Sequence, residues 1–246
     1  MYNTKKLNAW VDLSTYCNAK CPQCHRTNPN GLDKQDWLPH IQWSINDFKK
    51  AFPKQTLDII QRFEICGTWG DPITNSDIMK IVEYIIKNSK AYIIINTNGS
   101  LRSTKWWHKL GKIAGKRLSV YFAIEGIDQE MHSMYRVNTD LKKVLSNMQA
   151  FGTYGEVRAF VVVFEHNEEY IEQIYQMCQL YNSVETLFFP SNRFGTHKDF
   201  IYKYKGKEVS LKPIKDMEHP LYRQKDLYKW KINLTGKHRK DISLKL

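Results

Sequence analysis

Apolar and polar positions along the first 190 residues predict strands and helices in alternation. The first strand is expected over 7–13, where apolar and polar side chains alternate with a period of two. Five more short apolar runs follow, at 63–66, 91–95, 118–124, 157–164 and 184–189. The run 91–95 is apolar throughout, which is typical of a parallel strand that is buried on both faces.

Segments with helical periodicity separate these runs. Ser44 is predicted to cap a helix over 45–52, and Asn75 or Ser76 to begin the next one. Further helices are expected from 103 or 104 to near 115, over 128–135 and 141–151, and from Asn167 to Leu180. Six strand–helix alternations imply an α/β fold with a parallel sheet. Six units fit a partial (β/α)6 barrel better than a full eight-stranded one, and a doubly wound sheet remains an alternative.

The pattern weakens after Pro190, where only a hairpin within 202–214 is suggested. Charge changes at the same place. The chain has 246 residues and a formal charge of +12; residues 1–190 carry 22 basic and 19 acidic side chains, and residues 191–246 carry 15 and 6. We therefore divide the chain into a barrel domain, 1–190, and a basic C-terminal extension, 191–246.

Composition excludes several classes of protein. The apolar share is 42% and the charged share 25%, which are ordinary values for a globular chain and not for a disordered one. The apolar runs are too short to cross a membrane, and residues 1–8 contain no secretory signal. Five cysteines are an odd number, which argues against a disulfide framework. A cytoplasmic protein with no membrane association is expected.

Cys17, Cys21 and Cys24 form the spacing C-x3-C-x2-C in the loop after the first predicted strand. Three thiolates on one short loop can bind three irons of a [4Fe–4S] cluster and leave the fourth iron open to another ligand. Two other chemistries stay possible: a redox-active pair of Cys21 and Cys24, or a zinc site that includes His25. A further alternative is that the three cysteines are unrelated buried thiols with no functional role.

This triplet, in a six-fold β/α chain, resembles the radical S-adenosylmethionine (SAM) enzymes over about residues 7–190. The resemblance implies a partial barrel and two cofactors, a [4Fe–4S] cluster and SAM. It implies reductive cleavage of SAM to a 5′-deoxyadenosyl radical, which takes a hydrogen atom from the substrate. It also implies an electron donor such as flavodoxin or ferredoxin.

Residues after the later strands resemble further motifs of that family. Gly67, Gly70 and Asp71 lie in a segment similar to the family's G-G-E-P, which binds the SAM amino group. Asn98 is in a segment similar to T-N-G. Each has a plainer interpretation as a turn signal.

The fourth strand is followed by Glu125, which the resemblance places at the ribose hydroxyls or the substrate, and by Arg136, a candidate for the SAM carboxylate. Ala123 stands where the family usually has serine, and Gln23 where many members have an aromatic residue. Cys66 and Cys178 are expected to be buried, without a ligand role.

The substrate is predicted less directly. The chain is closest to the branch of the family that modifies peptides or proteins, with a truncated or degenerate auxiliary domain. Aromatic residues interleaved with lysines in 202–230, and the basic run 237–240, favour RNA as an alternative substrate. A non-enzymatic module that binds metal or nucleic acid is a third hypothesis, and a solvated basic surface explains the charges equally well.

Overall fold

The structure is a computed structural model that describes residues 6–195, 198–215 and 219–222. At its centre is a parallel sheet whose six strands follow sequence order: β1 Leu7–Asp12, β2 Ile60–Cys66, β3 Tyr92–Thr97, β4 Leu118–Ala123, β5 Glu156–Val163 and β6 Ser183–Pro190. Among these strands β1 and β6 are the edges and do not pair with each other. The predicted partial barrel is therefore confirmed.

Within the described residues, seven α-helices connect or flank the strands: α1 Ile45–Ala51, α2 Lys54–Leu57, α3 Ile78–Asn88, α4 Thr104–Ala114, α5 Gln129–Ser133, α6 Leu141–Gly152 and α7 Ile171–Leu180. Ser44 forms the predicted N-cap, in a capping box with Asp47. The sequence pattern did not predict α2, a single turn directly after Pro53.

Two predicted helix starts differ from the structure by two to four residues. Helix α3 begins after Asp77, whose backbone N–H donates to Asn75 Oδ1, while the Asn75 amide donates to the carbonyls of Leu13 and Trp43. Asn167 precedes the 3-10 turn Glu168–Tyr170, which runs directly into α7. Both asparagines therefore lie at the entrance to a helical segment, and both also link separate segments of the fold.

The sheet has two chemically different faces. One face packs against the helices, and its side chains form the main core; Phe63, Ile65, Ile93, Ile95, Val120 and Phe122 are all fully buried. The alternate positions point into the barrel and include polar groups such as Glu64, Asn96 and Tyr121. The barrel interior is therefore a lined cavity rather than a filled core.

Strands β7 Phe200–Tyr204 and β8 Lys207–Leu211 form the antiparallel hairpin that the sequence suggested. The two turn residues, Lys205 and Gly206, have φ of 50° and 74°, as a type I′ turn requires. The hairpin packs on the loop 14–34 that carries the three cysteines, called the cysteine loop below. Lys203 donates from its backbone N–H to the Pro29 carbonyl and accepts from the Gly31 N–H.

The division at residue 190 stays a prediction. Of the aromatic residues in the basic extension, Tyr202 is buried and its hydroxyl donates to the Met134 carbonyl. Tyr228, Trp230 and the basic run 237–240 lie outside the described residues. Within the described part of the chain, no helix has the length and apolar character needed to cross a membrane.

Candidate active site

The carboxyl ends of the strands surround a cavity of about 600 Å³. Eight of the nine predicted site residues line it: Cys17, Cys21, Cys24, Gly67, Gly70, Asp71, Asn98 and Arg136. The ninth, Glu125, is fully buried and is not among the lining residues. The loops after β1, β2, β3 and β4 thus bring residues that are far apart in sequence to one place, as expected for the carboxyl edge of a parallel barrel.

The three cysteines of the loop are free thiols, and all three line the cavity. Burial is the main reason why the pKa of Cys21 is raised to about 11 and that of Cys17 is raised further. Two side chains nonetheless aim N–H groups at these sulfurs. Arg136 Nη1 lies 3.5 Å from Cys21 Sγ, and Asn98 Nδ2 lies 3.8 Å from Cys17 Sγ.

Two residues that the sequence analysis did not single out hold the cysteine loop in place. The buried Arg26 donates to the carbonyls of Trp69 and Thr15, and so ties the cysteine loop to the loop after β2. Asn18 donates to Ser100 Oγ and accepts from Asn98 at 2.9 Å. Nothing in their sequence context distinguishes these residues, because their partners are 11 to 82 positions away.

Gly67 and Gly70 are required by close backbone contacts. A Cβ atom on Gly67 would lie 2.5 Å from the Gly70 carbonyl oxygen, and one on Gly70 would lie 2.1 Å from the Ser14 oxygen. The loop after β2 therefore approaches the start of the cysteine loop more closely than any other residue type allows. This leaves backbone groups of 67–70 beside the cysteines, at the wall of the cavity.

Asp71 joins the loops after β2 and β3. Its carboxylate accepts from the Ile73 and Asn98 backbone N–H groups, from Thr97 Oγ1 and from Asn98 Nδ2, at 2.6–2.9 Å. Burial raises the pKa of Asp71, and these hydrogen bonds oppose that rise. Since both oxygens already have several donors, the carboxylate organises the site by joining the two loops.

Glu125 and Arg136 form a bidentate ion pair. Arg136 Nε and Nη2 lie 2.7 Å from Glu125 Oε2 and Oε1. The Glu125 backbone N–H donates to His132 Nδ1, and burial together with the Arg136 charge lowers the pKa of His132 to about 3. His132 is therefore neutral, with its proton on Nε2, facing Thr139 Oγ1 at 3.0 Å.

This ion pair changes what is expected of Glu125. Its sequence context predicts a contact with the ribose or the substrate, yet the Glu125 carboxylate lies behind Arg136 and is fully engaged there. Arg136, by contrast, does line the cavity.

The loop after β6 closes another side of the site. Gln23 accepts from Ser191 Oγ at 2.7 Å, and its backbone oxygen accepts from Arg193 Nη1 at 2.9 Å. Gln23, which stands where the family often has an aromatic residue, therefore holds this loop in place through hydrogen bonds. Arg193 lines the cavity as well.

Deeper in the barrel the cavity is bordered by a mixed set of side chains: Glu64, Cys66, Asn96, Tyr121, Phe160 and Phe189. Phe160 and Phe189 stack with ring centroids 4.7 Å apart. Burial, and then the charges of Glu64 and Asp12, raise the pKa of Cys66 to about 12, so that this thiol is protonated.

The residues at the cavity fit a [4Fe–4S] cluster. Buried thiolates need positive partners, which iron ions supply, and N–H donors aimed at the sulfurs of Cys17 and Cys21 are common around such clusters. In the described part of the chain, no three Cys, His, Asp or Glu side chains converge on one metal ion. A cluster does not require this, because each thiolate binds a different iron.

Fold and site together define a parallel α/β partial barrel that carries a cysteine triplet at its carboxyl edge. The sequence model described as the radical SAM superfamily matches residues 11–178, more than half of the chain. The chain therefore belongs to the radical SAM superfamily. Members use a [4Fe–4S] cluster and SAM, and this membership supports the assignment as an enzyme.

Solved structures show the same fold. anSMEcpe with bound AdoMet matches with a TM-score of 0.57 at 20% identity, over 75% of this chain and 49% of that chain. Streptococcus suis SuiB bound to the precursor peptide SuiA matches with 0.59 at 16% identity, over 75% and 39%. Methylornithine synthase (PylB) matches with 0.54 at 14%, over 76% and 54%.

The chain thus spans about half, or less, of the length of these proteins. Among curated protein sequences, none matches it.

Proposed function

We propose that this protein is a radical SAM enzyme that abstracts a hydrogen atom from a peptide or protein substrate. The observation that carries the proposal is the convergence of the three cysteines with Gly67, Gly70, Asp71, Asn98 and Arg136 on one cavity. When bound, the cluster and SAM supply reductive cleavage of the sulfonium and a 5′-deoxyadenosyl radical. The protein binds both groups and holds the substrate near them.

Each wall of the cavity has a distinct task in this proposal. Cys17, Cys21 and Cys24 would bind three irons of the cluster, and the segment 67–71, which borders the same cavity, would bind SAM. The backbone carbonyls of that segment accept from the SAM amino group, while Asp71 and Asn98 keep it in register with the cysteine loop. The substrate enters the deeper part of the cavity, between the stacked phenylalanines and the polar wall.

Two observations support a peptide over the alternatives. SuiB, one of the structures of similar fold, is bound to a precursor peptide, and anSMEcpe is bound to peptides in two other matching structures. The deeper cavity combines aromatic and polar groups, which suits an amino-acid side chain. Of the sequence features that favour RNA, Tyr228, Trp230 and the basic run 237–240 lie outside the described residues, and RNA stays the alternative substrate.

Anaerobic reconstitution with iron and sulfide tests the chemistry. With SAM and dithionite, the reconstituted protein should release 5′-deoxyadenosine, and Cys17→Ser should lose both iron and product. Cys178→Ser is the matched control, since Cys178 is a buried thiol on α7. A well-formed cluster that never cleaves SAM would contradict the proposal.

The substrate class needs a second measurement. If a short reading frame lies beside the gene, its peptide in deuterated form should transfer deuterium to 5′-deoxyadenosine, and deuterated RNA should not. The opposite result would favour the RNA hypothesis.

A further inference from the structure

Arg136 connects a buried carboxylate to a cysteine of the proposed cluster site. Its Nη1 lies 3.5 Å from Cys21 Sγ, while Nε and Nη2 each lie 2.7 Å from an oxygen of Glu125. The guanidinium is therefore oriented by two parallel hydrogen bonds and directs its remaining edge at a sulfur. Charge-assisted bidentate pairs of this kind are the most geometrically specific that proteins form.

Glu125 is fixed independently of Arg136. Its side chain is fully buried, and Oε1 also faces the Val162 backbone N–H at 3.4 Å. Its backbone N–H donates to His132, and its backbone oxygen accepts from Asn167 Nδ2 at 3.1 Å. These contacts fix the backbone of Glu125 independently of Arg136, while its carboxylate is held by Arg136 and by the Val162 N–H.

The pair is thus a rigid dipole whose positive end faces Cys21. Reduction adds an electron to an iron–sulfur cluster, and hydrogen bonds or positive charge at a ligand sulfur stabilise the reduced state. The carboxylate on the far side limits this effect, because it neutralises most of the guanidinium charge.

The next inference rests on the proposed function. We propose that Arg136 tunes the reduction potential of a cluster bound through Cys21, and that Glu125 is the positioning residue that orients Arg136 and partly neutralises its charge. This assignment replaces the expected ribose contact of Glu125 with a role that its geometry supports. It makes the ion pair part of the control of electron transfer to SAM.

The test is a redox titration of the reconstituted protein without SAM, followed by electron paramagnetic resonance of the reduced cluster. In Glu125→Gln the guanidinium loses its counter-charge, so the midpoint potential should become more positive. In the double variant Arg136→Met/Glu125→Gln both the donor and the charge pair are gone, so the midpoint should become more negative than that of wild type. The double variant also avoids a buried carboxylate without a cation, which Arg136→Met alone would create.

Opposite shifts separate tuning from a merely structural role, which would move both variants in the same direction. Glu156→Gln is the matched control. It removes a carboxylate that is paired with an arginine at the start of β5. Glu156 lies six residues before Val162, which contacts Glu125, so the two glutamates are separated by roughly 20 Å along the strand. This variant should leave the midpoint potential unchanged.

An unchanged or more negative midpoint in Glu125→Gln, at wild-type iron and sulfide content, would overturn the inference. Loss of the cluster from both variants would overturn it too, because the pair would then serve assembly. Failure of wild type itself to form a cluster or cleave SAM would instead overturn the proposed function.

Discussion

The two ends of the barrel interior each contain an arginine paired with glutamate, and they differ in what lies beyond the ion pair. At the amino end Arg158 donates to Glu156 at 2.7 Å, contacts Glu185, and lies 3.3 Å from the Tyr121 hydroxyl. All of these partners belong to strands of the sheet. At the carboxyl end Arg136 pairs with one glutamate and also reaches a cysteine sulfur.

Burial separates the two pairs further. The Glu125 side chain is 0% exposed, whereas those of Glu156 and Glu185 are 23% and 19% exposed. Water reaches the amino end and screens its charges, so that this pair mainly holds β4, β5 and β6 in register. The ion pair of Arg136 and Glu125 at the carboxyl end is shielded from water, so its charges act on the group that the cysteines bind. Location within a parallel barrel, rather than the residue types, separates a structural pair from a functional one.

The largest effect is expected from a change that disturbs the carboxyl end through its backbone. Gly70→Ala places a Cβ atom 2.1 Å from the Ser14 oxygen, and backbone cannot yield as a flexible side chain can. We expect the unfolding free energy to fall by about 3 kcal/mol or more. Iron content after reconstitution should fall as well, because the cysteine loop must move.

Gly206→Ala serves as the control for this change. A Cβ at Gly206 would meet nothing within 4 Å, but its φ of 74° disfavours alanine. Only about 1 kcal/mol should be lost, with normal iron content. Denaturant titration and iron analysis of both variants measure the difference, and equal losses would show that the contact with Ser14 is unimportant.

An intermediate effect is expected at the amino end. Arg158→Met leaves Glu156 and Glu185 without their shared cation, which should lower the unfolding free energy by about 2 kcal/mol after allowance for their partial exposure. The reduction midpoint and iron content should match wild type. Arg158→Lys, which keeps the charge, should recover part of the stability. A shifted midpoint in Arg158→Met would show that the two ends are not separable.

The comparison also explains which parts of the site could be predicted from the sequence. Cys17, Asp71 and Asn98 each follow a strand, and parallel strands bring their carboxyl ends to one edge, so periodicity together with the family resemblance was enough to group them. The same periodicity predicted all six strands of the sheet, although β2 begins three residues earlier than its apolar run.

Side-chain partnerships could not be predicted in this way. The link between Gln23 and Ser191 joins residues 168 positions apart, and the bonds of Arg26 go to backbone carbonyls, which carry no sequence signal. Glu125 was expected at the ribose hydroxyls or the substrate because a motif specifies only the type and order of residues. Whether a carboxylate faces the cavity directly or lies behind an arginine that lines it depends on rotamers and distances, which only the folded structure fixes.

The smallest expected effect concerns His132, behind the carboxyl-end pair. Burial lowers its pKa from 6.5 to about 3, and its ring meets the Glu125 backbone N–H, the Thr139 hydroxyl and, at 4.0 Å, a Glu125 oxygen. The unfolded chain therefore binds more protons than the folded one below pH 6.5. The stability that the neutral ring contributes is complete above that pH and is lost progressively as the pH falls toward 3.

At pH 5.5 this linkage should cost about 1.4 kcal/mol of the unfolding free energy relative to pH 8. His132→Asn keeps an oxygen that can accept from Glu125 and should remove this part of the pH dependence. The part contributed by His166, whose pKa burial lowers to about 4, should remain. Denaturant titrations of the metal-free protein from pH 8 to 5 measure both slopes. If the slopes of wild type and His132→Asn coincide, folding does not lower the pKa of His132, and the carboxyl-end pair is less well shielded from water than its burial indicates.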